Sequence, residues 1–306
     1  MQAQVVLVNF KNVERTVACL RALEKSTCRP RRVYVVDNAS TEESRTSFKK
    51  EKFSLDVEWI WNAENLGFAF GCNQGIRRAR EVCSEDYVWL LNNDTEPDAD
   101  ALKFLLEKAT ESGAGVTGSA IFDSLGNFSG GVGKVHPKLA SVSRVQLENA
   151  GDFTEAGSLG DHADFDYVEG SSFLISPKCL DVVGLLDEEF FLYFEESDYC
   201  YKVKTAGFSL AWATKSIVRH HIGSSTGSEN RKGGVPFFID CLMIRNRIHF
   251  ARRNDFPFWG VYVGLLISLV LRVKRLQFSR VWTILKIVCS NKAFRKFVEK
   301  NGGCLK

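Results

Sequence analysis

The 306 residues are enough to bury a substantial core in one large domain or two, and 45% hydrophobic with 25% charged residues is an ordinary globular balance. Net charge is only +3, but fourteen Lys/Arg against two acids from Cys241 onward give that stretch +12 and leave −9 on the first 240 residues, so the basic end is expected to meet an anionic partner. Nine scattered cysteines without a CxxC pair argue against a disulfide framework or a zinc site and for reduced thiols in the cytosol, and the short apolar run near the start lacks the basic flank of a signal peptide.

In chain order, Val5–Val8 reads as a first strand ending at Asn9, and Asn12 can cap a helix carrying Val13, Val17, Leu20 and Leu23. Val33–Val36 is a second strand that stops at Asp37-Asn38-Ala39-Ser40, and Val57–Ile60 a weaker third. Asn65-Leu66-Gly67-Phe68 opens a helix with Phe68, Cys72, Ile76 and Ala79 inward. Tyr87–Leu91 is a strand apolar on both faces that halts at Asn92-Asn93-Asp94-Thr95; beyond Pro97, Asp98 can cap a helix lined by Ala101, Leu105 and Ala109. From Phe122 to about Phe165 the pattern loosens into a Gly/Ser-rich excursion. Order returns at Tyr167–Ile175, with a helix starting at Ser176-Pro177. Phe190–Phe194 then leads into an acid-rich helix from Glu195 to Ala206; Ser209–Ala213 reads as one strand, and Val218 to His221 as the end of another. The alternation predicts an α/β fold with a largely parallel sheet covered on both faces.

Several polar groups follow directly on apolar runs: Asn9, Asp37, Asn65 and Asn92 to Asp94. Parallel strands would gather them along one sheet edge, where open α/β sheets bind ligands. Desolvating such groups is costly without partners. On a helix Glu195 and Asp198 share a face while Glu196 points elsewhere, and acids there also suit the helix dipole.

VVLVNFKN, VVDNAST, NLGFAFGCNQGI, LLNNDTEP, EGSSFLIS, FFLYFEESD and VRHHIGSSTG stand in an order that resembles family 2 glycosyltransferases of the GT-A fold, over about residues 4 to 253. The likeness is to bacterial enzymes of cell-surface polysaccharide synthesis, many of them rhamnosyltransferases. It implies inverting transfer from a nucleotide-sugar donor, first guess dTDP-rhamnose, to a saccharide or lipid-linked acceptor. A divalent metal, Mg²⁺ or Mn²⁺, would neutralise the leaving diphosphate. The resemblance places Asp94 at the last acid of the DxD motif and His220 at the late metal-binding histidine, four residues before Ser224-Ser225. A slip of one residue would hand that role to His221. The earlier acid positions of the motif are Asn92 and Asn93 here, which motivates a second reading as a non-catalytic nucleotide-sugar-binding or scaffold protein. Asn9, Asp37, Asn65, Gly67 and Asn93 fall to the nucleotide sugar, with Asp37 toward the base. Glu196 inherits the catalytic base, where the family has Asp, and Glu195, Asp198 and Gly170 the acceptor side or its support.

The resulting division is a nucleotide-sugar-binding catalytic domain over 1–240 and a basic helical region over 241–306. Phe256 to Leu271 is apolar for sixteen residues; as a helix it spans about 24 Å against a hydrocarbon core of about 30 Å. With Trp259, Tyr262 and basic residues at both ends it suits the surface of an anionic membrane at the cytoplasmic face. The competing reading packs it, with Val281–Val288, on the catalytic domain or a second copy in a homo-oligomer. Nucleic acid is not expected, because the basic residues are interleaved with apolar runs.

Overall fold

A computed structural model describes residues 1–145, 164–221 and 236–305. The first half alternates as expected. Strands β1 (Ala3–Asn9), β2 (Val33–Asn38), β3 (Val57–Asn62) and β4 (Tyr87–Asn92) are joined by helices α1 (Val13–Glu24), α2 (Glu42–Lys50) and α3 (Phe68–Val82). After the short β5 (Thr95–Pro97) come α4 (Ala101–Ser112) and β6 (Val116–Phe122). Asn12 caps α1 by accepting from the Arg15 N–H. Asp98 does not cap α4: Asp100 occupies the cap position, and Asp98 instead pairs with Arg219.

The described part of the Gly/Ser-rich excursion, up to residue 145, is more ordered than its composition suggests. It holds β7 (Phe128–Gly130), β8 (Val132–His136) and β9 (Ser141–Arg144), and β8 lies between β9 and β10 (Tyr167–Val168) in a small second sheet. Then come β11 (Ser172–Ile175), α5 (Pro177–Val183), α6 (Glu195–Thr205) and β12 (Leu210–His220). The two strands expected over 209–221 are one, β12, whose register on β6 shifts between Ala213 and Ile217. An irregularity of that kind breaks the apolar alternation and reads as a strand boundary.

The main sheet runs β3-β2-β1-β4-β11-β6-β12-β5, with β7 on β6. It is parallel from β3 through β4 and again between β6 and β12; β11 enters antiparallel between β4 and β6. Asn9 pairs with Asp37 and Val8 with Asn92, so the polar strand ends do share one edge. Trp89 and Leu91 face one apolar core with α1 and α4, while Val88 and Leu90 face the other with α3 and α6.

The second core continues into the C-terminal helices α7 (Phe237–Arg253), α8 (Phe258–Lys274), α9 (Phe278–Cys289) and α10 (Asn291–Lys300). The boundary expected at 240/241 falls inside α7, whose Cys241, Leu242, Asn246 and Phe250 are fully buried. Ile284, Ile287, Phe294 and Val298 of α9 and α10 are buried in the same cluster. Among the described residues no helix is long and apolar enough to cross a membrane.

Candidate active site

The edge where β1, β2 and β4 end is a closed polar network. Asn9 Nδ2 donates to Asp37 Oδ1 at 2.7 Å, and its Oδ1 accepts from the Thr16 hydroxyl at 2.9 Å and from Asn93 Nδ2 at 3.1 Å. The Ser40 N–H donates to Asp37 Oδ2 at 3.0 Å. Buried polar groups are tolerable when paired in this way. Asn9 and Asp37 are completely buried and Asn93 is 6% exposed. The three side chains expected to touch the nucleotide sugar therefore lie behind the surface and brace the strand ends against one another.

Asn65 and Gly67 lie where the chain enters α3. Asn65 Oδ1 accepts from the Gly67 N–H at 3.1 Å, and the Asn65 carbonyl accepts from the Cys304 N–H at 2.7 Å. Gly67 has φ +89°, and a Cβ there would stand 2.6 Å from the Phe191 carbonyl oxygen, so only glycine fits. The Phe68 N–H donates to that same oxygen. This contact ties the start of α3 to the segment leading into α6.

Antiparallel pairing of β5 with β12 sets His220 opposite Thr95, and the His221 N–H donates to the Asp94 carbonyl at 2.9 Å. The result is a side-chain contact of 3.1 Å between His220 Nε2 and Asp94 Oδ1. His221 instead meets Glu96 Oε1 at 2.9 Å, so of the two histidines it is His220 that faces Asp94. Ser224 and Ser225 lie outside the described residues.

The third part of the site is a cluster of carboxylates. Glu196 lies along the backbone of Gly170: a Cβ added there would be 3.5 Å from Glu196 Cβ. Oxygens of both Glu195 and Glu196 are buried without a protein partner among the described residues. Burial pushes the Glu196 carboxyl up to about 7, and the neighbouring Glu169 charge adds to the effect. Burial also holds the Glu195 carboxyl well above the usual carboxylate range, with Glu196 reinforcing it. Asp198 is turned away. Fully buried, it pairs with Lys202 at 2.7 Å and accepts from Asn254 Nδ2 at 2.9 Å, a supporting arrangement.

Glu169 was not singled out by its sequence, although it is the lone acid in YVEGSSF. Its Oε1 meets Arg144 Nε at 2.8 Å. Burial raises its carboxyl, opposed by the charges of Arg144 and of His220. It thus lies within electrostatic reach of both His220 and Glu196 and connects the two halves of the site.

Two protein ligands alone would hold a metal loosely, and no three His, Cys, Asp or Glu side chains among the described residues cluster to hold one. The Asp94–His220 pair nonetheless fits a divalent ion that takes its other ligands from phosphate and water. Neighbouring ligands on an octahedral ion with bonds of about 2.1 Å stand about 3 Å apart, close to the 3.1 Å between Oδ1 and Nε2.

Among solved structures, the mannosyltransferase PcManGT from Pyrobaculum calidifontis, in complex with GDP-Man and Mn²⁺, superposes with a TM-score of 0.55 at 14% identity over 89% of this chain and 75% of its own. The shared architecture is the GT-A fold. The chain is 23% identical over 213 residues to the low-salt glycan biosynthesis hexosyltransferase Agl10 of Haloferax volcanii, covering 67% of this chain and 62% of that protein. It is also 23% identical over 251 residues to the N-acetylglucosaminyl-diphospho-decaprenol L-rhamnosyltransferase of Mycobacterium tuberculosis, covering 74% and 78%. The description "Glycosyl transferase family 2" matches residues 5–166, from the first strand through the excursion, and the chain belongs to that family.

Proposed function

We propose that this protein is an inverting glycosyltransferase that moves a sugar from a nucleoside diphosphate donor to a hydroxyl of a saccharide or lipid-linked acceptor. The observation that carries the reading is Glu196: a half-buried carboxylate beside Gly170, with an oxygen that has no partner among the described residues, raised to about 7, and linked through the Glu169 charge to His220 of the Asp94–His220 pair. An acceptor hydroxyl must lose its proton as the bond to the anomeric carbon forms, and a base with a pKa near neutrality is suited to take it. Asp94 and His220 would hold Mg²⁺ or Mn²⁺, which would supply charge neutralisation at the diphosphate. The Mn²⁺ of the mannosyltransferase structure supports that choice. Asn65 and Gly67 shape the nucleotide side directly; Asn9, Asp37 and Asn93 hold it from behind. Glu195 and Gly170 confine Glu196.

Rhamnose from a dTDP donor is the first candidate, supported by the mycobacterial relative, whose name also describes a lipid-linked acceptor. A donor screen by nucleotide release, with dTDP-, UDP- and GDP-sugars and lipid-linked acceptors, tests the reading. Acceptor-dependent release with one donor is expected. Nucleotide binding without release from any donor would replace it with the non-catalytic reading.

The proposal extends to the cytoplasmic face of an anionic membrane. Trp259, Tyr262, Val263, Leu266, Ile267 and Val270 form one exposed stripe on α8, and Trp282 and Leu285 of α9 are exposed as well. Contiguous exposed apolar surface of this kind marks an interaction site. Exposed Lys274, Arg275, Lys286, Lys292 and Arg295 of the same C-terminal helices favour acidic lipid headgroups over a second copy, which would carry the same charge. Binding to acidic vesicles that weakens with salt is expected in flotation; a salt-independent dimer in its place would assign the stripe to a homo-oligomer.

A further inference from the structure

Segment 187–198, which delivers Glu196, is held in an unfavourable backbone shape. Phe191, Tyr193 and Phe194 have φ of 45°, 71° and 77°, a left-handed region that aromatic L-residues rarely adopt. Conformations of this kind persist only where their surroundings over-determine them. Beyond the Phe68 N–H on the Phe191 carbonyl described above, most of the polar contacts to this segment come from one helix, α7. Asn246 is fully buried, and its Nδ2 donates to the carbonyl oxygens of Phe190 at 3.0 Å, Leu192 at 2.9 Å and Tyr193 at 3.0 Å. Its neighbour Arg245 donates to the Glu189 carbonyl at 2.9 Å. On the upstream side His249 Nε2 meets Asp187 Oδ2 at 3.0 Å, and Arg253 Nε meets the same oxygen at 3.0 Å. On the downstream side Arg253 and the adjoining Asn254 reach Asp198, at 3.3 and 2.9 Å. The helix thus grips the segment before, within and after its left-handed residues.

Two hydrogens on one amide shared among three carbonyls are more than a core position needs. A buried asparagine costs desolvation unless it is fully used, and here it is used in full, since an apolar residue at this position would leave three buried carbonyls without a donor. The three carbonyls converge on Nδ2 only while the segment keeps its left-handed turn. We propose that Asn246 is a positioning residue for the transfer reaction: it fixes the turn over 190–194 and thereby the direction in which Glu196 leaves the first turn of α6. The inference rests on Glu196 being the base, as proposed above.

The test compares Asn246→Ala with Leu242→Ala, a fully buried α7 residue with an apolar side chain. Three quantities are read on the full chain: melting temperature, nucleotide affinity, and kcat with KM for donor and acceptor. Amide hydrogen exchange over 187–198 is followed alongside. Asn246→Ala is expected to lower kcat by about 10² fold, the effect of an ångström-scale misplacement of a reacting group. Nucleotide affinity should change less than about threefold, and protection should be lost over 190–196. Leu242→Ala should lower the melting temperature by at least as much and leave kcat within a few-fold. Asn246→Ser, which retains one donor, should fall between wild type and alanine, and replaces alanine if that variant does not fold. Equal kcat losses in Asn246→Ala and Leu242→Ala, or intact protection over 190–196, would overturn the positioning role. The exchange measurement needs no turnover, so it judges the clamp even if the wild-type protein transfers no sugar, a result that would instead fell the proposed function.

Discussion

Helices α7 and α8 are each seventeen residues long and adjacent in the chain, yet the more apolar one is left outside. α8 carries charge only in its last turn and buries just Gly260, Val261 and Gly264. α7 carries Asp240, Arg245, Arg247, His249, Arg252 and Arg253 and buries nine residues. Apolar burial contributes roughly 25 cal/mol per Å², so mean apolarity alone would place them the other way round. What decides is whether each side chain has a partner inside the chain. The polar groups of α7 bind a loop whose carbonyls and carboxylates need them; on α8 Val261, Leu265 and Leu269 meet the core, while the stripe from Trp259 to Val270 stays exposed among the described residues.

If that contrast is right, chemistry depends on the residues around α7 and attachment on those of α8, and four experiments can break the separation. The largest effect is expected from Asp94→Ala. It should abolish turnover and its stimulation by divalent metal in a protein of unchanged melting temperature, read by nucleotide release with and without chelator. Full activity, or indifference of the native enzyme to chelator, would remove the metal assignment.

Next in size, Glu196→Gln should lower kcat by roughly 10² to 10⁴ fold, the range for loss of a general base, with donor and metal binding kept. Glu195→Gln and Asp198→Asn are the comparisons in single-turnover assays. An equal defect in either, with donor bound, would move the base to that acid.

On the other side of the contrast, Leu266→Glu combined with Trp259→Ser should weaken binding to acidic vesicles by at least about tenfold, since one large apolar side chain contributes about 1.5–3 kcal/mol on burial. Turnover on a water-soluble acceptor should stay the same; a parallel loss would show that α8 serves the chemistry as well. Substitution is a cleaner probe than cutting after Asn254, because the lost residues would include Ile284, Phe294 and Val298 of the core.

The smallest effect is a shift in pH profile. Glu196 acts as base only when ionised, so kcat/KM should rise with pH through about 7 and then level off. Glu169→Gln removes a like charge beside it, which lowers the pKa and moves that limb to lower pH. A limb displaced to higher pH in the variant would contradict the placement of Glu169.

Much of this was readable in the residues, and the remainder has physical reasons for being hidden. Asn9, Asp37 and Asp94 could be grouped because parallel strands end on one edge, a local property of each apolar run. Their burial could not be foreseen: whether a strand-end amide faces a ligand or another amide depends on partners such as Thr16 and Ser40. β11 gave no sign of its antiparallel insertion, since register is set by distant pairing. Glu169 looked ordinary because Arg144 and His220 reach it only in three dimensions. Asn246 sits in a stretch that reads only as a basic helical region, and only the left-handed φ angles of Phe191, Tyr193 and Phe194 show why an amide is there.

Gly260 of α8 lies flush against the carbonyl of Lys138, where any side chain would collide, and Arg272 near its other end pairs with Asp240 of α7. The turn containing Lys138 joins β8 to β9, the strand that carries Arg144 and, through it, Glu169 beside Glu196. With both ends of α8 tied to the rest of the fold, docking through its stripe would hold the Glu196 carboxylate at one set height. On the proposed docking this makes the protein a ruler: a tethered acceptor reacts when its hydroxyl stands at that one height above the bilayer. Lipid-linked acceptors extended by successive sugars should then show a single optimum in vesicles and none in detergent solution, and a flat response in both would show that no such ruler operates.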